Sequence, residues 1–313
     1  MIDRATLATQ YAKPIDPSAP SHECRVCGEV ARPWGNPLDL WKCGSCGFLQ
    51  LDPLPDNSEL AQIYSQQYYD SWGENESENL YWEMKKALFR QLVDYSGVQL
   101  IMNSDSRNAL DVGCATGACL SVFQERGFMA YGIDVNSYAV EKARARNPGA
   151  KIYHGALETA TLDPSSFSLM VMSDVVEHVQ DPERFLRGAY RLLAPGGRLV
   201  ILTPNIDSLS LWFLGAKWPH FKREHLCYFN AHSLRTILTQ CGFRMVKNGS
   251  ARKPINFAYA VRQFSTYPMP VVSGIMRLMD KLVRGAARTY HFFLPMGELL
   301  AVAEKPIDDR RAT

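Results

Sequence analysis

Between residues 108 and 204, short apolar runs alternate with amphipathic stretches. The segments "NALDVG", "MAYGIDV", "AKIYHG", "FSLMVMSDV" and "GRLVILTPN" are apolar on both faces and short enough to be buried strands. "ACLSVFQERG" and "PERFLRGAYRLLAPGG", which separate some of them, read as helices. Doubly apolar strands alternating with helices predict a parallel sheet covered on both faces, an α/β fold.

The flanks read differently. Residues 1–21 are polar and hold three prolines, which predicts a flexible arm. Residues 22–50 suggest short strands such as "LWKC" between cysteine pairs. Residues 51–100 form a helical linker or lid rich in aromatics (Tyr64, Tyr68, Tyr69, Trp72, Tyr81, Trp82), with Asp56 or Asn57 as its N-cap. The core is expected over 101–250, and 251–313 hold a basic helical insertion and a last strand. Within 274–295, Ile275, Leu278, Met279, Leu282, Val283 and Ala286 recur at helical spacing, and Arg277, Lys281, Arg284 and Arg288 stack on another face.

Composition sets the class. With 313 residues, 46% apolar and 11% aromatic, the chain has room for one large domain plus a small module, or for two ordinary domains. No apolar run approaches about 18 residues, and the N-terminus lacks the apolar centre of a signal peptide, so a cytoplasmic protein is expected. The net charge of +2 argues against a coat for nucleic acid. From Arg244 to Tyr290, however, nine Lys or Arg face one acid, Asp280, whereas the rest of the chain carries 25 basic and 31 acidic residues. That imbalance predicts an anionic small-molecule partner. A lid over a phosphate-bearing acceptor, or peripheral contact with an anionic membrane through 274–295, would use it.

Cys24, Cys27, Cys43 and Cys46 form C-x2-C-x15-C-x2-C, the spacing of a zinc site. Two knuckles supply four thiolates and complete a tetrahedron with no open position, so the expected Zn2+ is structural. Gly28 and Gly47 follow the pairs and suit the tight turns. Cys114, Cys119, Cys227 and Cys241 are scattered, as packing residues are.

In "NALDVGCATGACL" a strand ends at Asp111, Gly113 and Gly117 follow, and a helix begins. Glycine there lets a ligand approach the main chain. The next strand ends in Asp134, where an acid accepts hydrogen bonds from ribose hydroxyls. The G-x-x-x-G spacing suits a pyrophosphate poorly and Asp111 would repel one. A nucleoside carrying an ammonium, as S-adenosylmethionine does, satisfies both features.

The segment from about 60 to 250 resembles the class I S-adenosylmethionine-dependent methyltransferases. "LDVGCATG" is similar to their first motif, "YGIDV" to their second-strand acid, "SFSLMVMSDVVEHVQDP" to the fourth-strand region and "RLLAPGGRLVILTPN" to the fifth. "REHLCYFNAHSLRTILTQCGF" resembles the segment before their final hairpin. The resemblance implies a Rossmann-like sheet of seven strands whose last, "ELLAVAEK", is antiparallel. It implies cofactor contacts at Asp111, Gly113, Cys114, Ala115, Gly117, Asp134, Val135, Leu157 and Ser173. Tyr68 or Tyr69, just past the ribbon, is expected either to close over the cofactor's amino-acid end or to pack in the core. Ala115 stands where the family has a middle glycine. Ala156 and Leu157 stand where an acid often meets the adenine, and Glu158 is close by.

Methyl transfer requires alignment, and a base if the acceptor must lose a proton. His178, His220 and His225 are the candidate bases. His178 follows the fourth strand and His225 lies in the segment the family uses to line the acceptor pocket, so His178 or His225 is the expected catalytic base. A lone histidine such as His220 more often packs structurally. Glu177 and Glu224 could orient an imidazole or bind a metal. "SDVVEH" replaces the N-P-P-Y type motif of exocyclic amino methyltransferases, which leaves oxygen, carbon or ring-nitrogen acceptors. The ribbon and core together resemble bacterial enzymes of sugar, surface-polysaccharide and secondary-metabolite pathways, implying a hydroxyl of such a metabolite as acceptor. A zinc module also precedes this fold in a ribosomal RNA guanine methyltransferase family. An RNA base methyltransferase whose ribbon grips RNA is thus the alternative, beside a non-catalytic cofactor-binding module. The ribbon's Arg25, Arg32, Lys42, Trp34 and Trp41 against Glu23, Glu29 and Asp39 make a thin RNA surface.

Overall fold

The two cysteine pairs sit at the turns of a small antiparallel ribbon, with Cys43 closing a strand: β1 (His22–Glu23), β2 (Val30–Pro33), β3 (Leu40–Cys43) and β4 (Leu49–Leu51), paired in that order. The computed structural model describes residues 20–34, 38–56, 59, 78–98, 107–257, 261, 274, 278–280, 282–283 and 290–307. The arm expected over 1–21 therefore lies outside the described residues, apart from Pro20 and Ser21, as do Tyr68 and Tyr69. The expected cap at Asp56 is present. Asp56 Oδ1 accepts from the Glu59 N–H at 2.9 Å and Glu59 Oε2 from the Asp56 N–H at 3.2 Å, a reciprocal capping box.

Helix α1 (Glu78–Ser96) leads into the core, where β5 (Asn108–Val112), α2 (Ala118–Glu125), β6 (Met129–Asp134), α3 (Ser137–Arg146) and β7 (Lys151–His154) follow in strict alternation. Next come β8 (Phe167–Ser173), α4 (Pro182–Leu192), β9 (Leu193–Pro204), α5 (Leu209–Leu214), β10 (Cys227–Tyr228) and α6 (Ala231–Gln240). The chain ends with β11 (Arg244–Ser250), β12 (Lys253–Asn256), β13 (His291–Leu294) and β14 (Glu298–Glu304). Local chemistry sets the helix starts. Asn136 caps α3 through the Ala139 N–H and Asp181 caps α4 through the Arg184 N–H, with Pro182 at the first helical position.

The main sheet has seven strands in the order β11-β14-β9-β8-β5-β6-β7. β9, β8, β5, β6 and β7 run parallel, while β14 is antiparallel to both neighbours, as expected for "ELLAVAEK". Because strand side chains alternate, each strand feeds two cores. Met170 and Met172 of β8 join Leu299 and Ala301 of β14 on the face covered by α4 and α6. Leu169 and Val171 join Leu300 and Val302 on the face covered by α1 and α2.

The ribbon is not a separate bead. β4 pairs antiparallel with β10, so Gln50 faces Cys227 and Leu49 faces Tyr228. Cys24, Val26, Cys43, Cys46 and Phe48 belong to the same buried cluster as Cys227, Phe229 and Val176 of the core.

The insertion expected over 274–295 falls largely outside the described residues, including Arg277, Lys281, Arg284 and Arg288. Where it is described, Leu278 (63% exposed), Met279 and Leu282 face outward rather than into a core. The described helices include none long and apolar enough to cross a membrane.

Candidate active site

The carboxyl ends of β5, β6 and β8 open onto one edge of the sheet. After β5 the chain turns through Gly113 (φ 72°), Ala115 (φ 43°) and Gly117 (φ 92°), all left-handed. A Cβ on Gly113 would stand 2.6 Å from Val175 Cγ2, and one on Gly117 would collide with the Asn147 amide. Only glycine fits either place. Ala115 takes its left-handed conformation where the family's middle glycine would stand.

Asp134, at the end of β6, ties this turn to the next strand. Its Oδ2 accepts from the Ala115 N–H at 2.8 Å and its Oδ1 from the Asn136 N–H at 2.9 Å. Both carboxylate oxygens are thus oriented by main chain. Asp111 lies buried beneath the turn, with Oδ2 lacking a hydrogen-bond partner. Burial, then the nearby Asp134 charge, pushes its carboxyl well up. Two carboxyls under a glycine turn disfavour phosphate and favour a ligand cation. A ribose with an ammonium or sulfonium fits this donor set. Of the other expected contacts, Cys114 and Leu157 are buried, Leu157 among Leu110, Val112 and Ile133. Val135 is exposed and its carbonyl bonds His154 Nε2, while Ser173 Oγ donates to Asp174 Oδ2.

Beyond β8 the chain forms the second half of the site. His178 Nδ1 lies 3.0 Å from the Glu224 carbonyl oxygen. A carbonyl can only accept, so Nδ1 carries the proton and Nε2 is left as the basic nitrogen. The His225 ring stands edge-on to it at 4.7 Å between centroids, and His225 Nδ1 is buried without a partner. Glu177 is buried as well. Its Oε2 accepts from Thr203 Oγ1 at 2.9 Å and its Oε1 has no partner. Burial lowers His178 to about 4 and holds His225 well below the usual imidazole value, while burial and the Asp174 charge raise Glu177 to about 8. Ligand atoms of Glu177, His178 and His225 lie within 4.8 Å of one another, a set that could hold a divalent ion.

Lys253 of β12 enters the same region. Its Nζ lies 2.8 Å from Glu298 Oε1 and 3.4 Å from Asp174 Oδ1, and His220 Nε2 lies 3.5 Å from the same Glu298 oxygen. Asp174 itself has φ 55°. Against the opposing push of burial, these partners hold Lys253 up and Asp174 down. Sequence reasoning missed Asp174, Lys253 and Glu298. Position at the carboxyl end of β8 could have flagged Asp174; Lys253 read as one more cation of a basic stretch.

The four cysteines expected to bind zinc are brought together. Cys24 and Cys46 sulfurs are 3.6 Å apart and those of Cys27 and Cys43 3.5 Å, with all four within 4.8 Å. Sulfurs at tetrahedral corners around zinc stand about 3.8 Å apart. The Val26 N–H points to Cys24 Sγ and the Cys46 N–H to Cys43 Sγ, as knuckle turns require.

Comparison with known proteins identifies the family. A family model described as a methyltransferase domain matches residues 81–248, more than half of the chain. A Mycolicibacterium smegmatis protein named "Probable S-adenosylmethionine-dependent methyltransferase" is 30% identical over 139 residues, covering 44% of this chain and 52% of its own. The ubiquinone biosynthesis O-methyltransferase of Idiomarina loihiensis is 32% identical over 114 residues, covering 35% and 46%. The chain thus spans about half the length of these curated relatives. Among solved structures, a Haloferax volcanii complex of the Trm112 methyltransferase activator with a methyltransferase aligns with TM-score 0.52 at 16% identity, over 76% of this chain and 97% of the other. That likeness concerns the fold. On the family match, the chain belongs to the methyltransferase domain family, the class I S-adenosylmethionine-dependent group.

Proposed function

We propose that this protein transfers a methyl group from S-adenosylmethionine to a hydroxyl of a small metabolite, of the sugar or secondary-metabolite kind, with His178 as general base. The observation that carries this reading is the Nδ1–H bond of His178 to the Glu224 carbonyl, which presents Nε2 as a proton acceptor. Asp134 would bind the ribose hydroxyls, and Asp111, whose carboxyl burial pushes up in the ligand-free protein, would ionise against the ammonium of the amino-acid end. The cofactor supplies an activated methyl group. The chain's part is to align the acceptor oxygen and take its proton. Ubiquinone biosynthesis O-methyltransferases among the relatives favour oxygen as the acceptor atom.

The RNA-gripping alternative loses support from the ribbon. Arg25 donates to three main-chain carbonyls, Trp41 stacks on His22 at 3.8 Å, and Trp34 packs near Phe221. These side chains are occupied within the protein. We assign Cys24, Cys27, Cys43 and Cys46 one structural Zn2+. The charge of the acceptor stays with the cations of 274–295, since Lys253 is already matched by Asp174 and Glu298.

A second reading rests on the unpartnered Glu177 Oε1 and His225 Nδ1. A divalent ion held by Glu177, His178 and His225 would polarise the acceptor hydroxyl in place of a base. Tritiated cofactor with a metabolite extract, followed by identification of the labelled product, tests the main proposal. Labelled RNA would overturn it. Metal content of about two per chain, with the second ion kept in Cys43→Ser and lost in His225→Ala, would establish the second reading.

A further inference from the structure

The ribbon's contact with the core converges on one residue of the proposed site. Leu226 follows His225, and both of its main-chain groups are engaged. Its N–H donates to the Glu177 carbonyl at 2.8 Å, and its carbonyl accepts from the Leu51 N–H at 2.9 Å. The same carbonyl accepts from Arg25 Nη2 at 3.0 Å. Leu226 therefore joins the His225 segment to the Glu177–His178 turn on one side and to the ribbon on the other.

Arg25 lies inside the first knuckle, between Cys24 and Cys27. Besides Leu226, its guanidinium donates to the Leu51 carbonyl at 3.3 Å and, through Nη1, to the Gln180 carbonyl at 2.9 Å. Its own N–H donates to Gln50 Oε1 at 3.0 Å, and Gln50 Nε2 returns to the Glu23 carbonyl at 3.0 Å. The planar fork thus bridges the strand that carries the knuckle sheet, the residue after His225 and a residue two beyond His178. A lysine cannot span three such acceptors.

Packing repeats the connection. Phe48 meets Phe229 with centroids 4.9 Å apart, and a Cβ on Gly47 would stand 2.6 Å from the Asn230 amide that caps α6. The loop holding His225 thus has the ribbon on one side and the sheet edge on the other.

We propose that Arg25 is a positioning residue and that the cysteine ribbon forms the outer wall of the acceptor side. The guanidinium holds residues 225–227 and 177–180 in one register, so the two imidazoles keep their edge-on relation. The inference deepens the proposed function and rests on its assignment of His178 and His225 to the site.

The test uses the full chain with its zinc bound and needs no acceptor. Arg25→Met, Arg25→Lys and a control, Leu88→Ala on the opposite face of the sheet, are compared with wild type. In Arg25→Met, hydrogen exchange at Leu226 is expected to rise about tenfold or more, with exchange over 108–117 unchanged. Long-range 15N–1H spectra of the imidazoles should show His178 losing its single tautomer. S-adenosylmethionine affinity should stay within about twofold, and zinc content at about one per chain. Arg25→Lys should restore part of the protection, and Leu88→Ala should disturb neither readout at matched loss of melting temperature. Unchanged exchange and tautomer in Arg25→Met would overturn the proposal, as would equal changes in Leu88→Ala. Turnover that survives His178→Gln would instead sink the base assignment and leave the Arg25 spectra to stand or fall by themselves.

Discussion

His178 is tied through its Nδ1 to the main-chain carbonyl of Glu224, 46 residues further along the chain. The bond fixes the tautomer and the ring plane together, and it crosses from the end of β8 to the segment before β10. A side chain set this way can accept a proton without first reorienting.

Replacing it therefore has a directional outcome. His178→Gln should lower turnover by about 10²–10⁴-fold, the usual contribution of a general base. Cofactor affinity by calorimetry should change little, because the cradle around Gly113 and Asp134 lies on other strands. Parallel losses in affinity and rate would mean that the residue is structural.

Asp134 offers the complementary measurement. Asp134→Ala removes the acceptor for the Ala115 and Asn136 N–H groups as well as the expected ribose contact. Each charge-assisted bond is worth about 1.5–3 kcal/mol, so S-adenosylmethionine affinity should fall by about 100-fold or more. Asp134→Asn, which keeps one acceptor oxygen, should fall between. Wild-type affinity in Asp134→Ala would show that the cofactor does not use this strand end.

What could be read beforehand follows from the range of the interactions. The strands of the parallel part are buried on both faces, so a run such as "FSLMVMS" announces itself, and the glycine turn and the cysteine pairs are local motifs. The pairing of β4 with β10 involves two residues of the latter, too few for any periodicity. Arg25 is one cation among many until its carbonyl partners are placed around it. Lys253 meets Asp174 across 79 residues, and only the assembled sheet edge brings both to Glu298. Helical spacing in 274–295 showed which residues share a face but not what covers it, and Leu278 and Leu282 are exposed.

The Lys253 cluster makes stability depend on pH in a predictable sense. Lys253→Met leaves Asp174 and the buried Glu298 without their cation, at a cost on the order of 3 kcal/mol. In the wild type Asp174 is held below its ordinary value of 3.8, so its contribution is present above that value and lost as pH falls through the folded one. Lys253 is held above 10.5, so its contribution is present below that value and lost only as pH rises through the folded one. In the variant, burial acts on Asp174 with only the weaker charges of Lys85 and His220 left against it, so its carboxyl rises and acid relieves the half-buried charge. The stability gap between the two proteins, from chemical denaturation, should be widest near pH 8 and narrow toward pH 4. A gap that stays constant from pH 8 to pH 4 would show that the charge on Asp174 does not set it.

Zinc removal tests whether the ribbon and the core are one unit. The expected content is about one zinc per chain, lost on chelation and in Cys43→Ser. Phe48, Cys24, Cys43 and Cys46 belong to the cluster that includes Cys227 and Phe229, and Cys27 packs against it, so metal loss should not stay local. Once the knuckles open, Gly47 and Phe48 no longer brace Asn230 and Phe229, and β4 no longer has a fixed register against β10. Hydrogen exchange should rise first over 43–51 and then over 225–233, while β5, β6 and β7 at the far side of the sheet remain protected. Loss of zinc with no change over 225–233 would show the ribbon to be an independent module resting on the core, and a chain that never contains zinc would remove the metal from the assignment altogether.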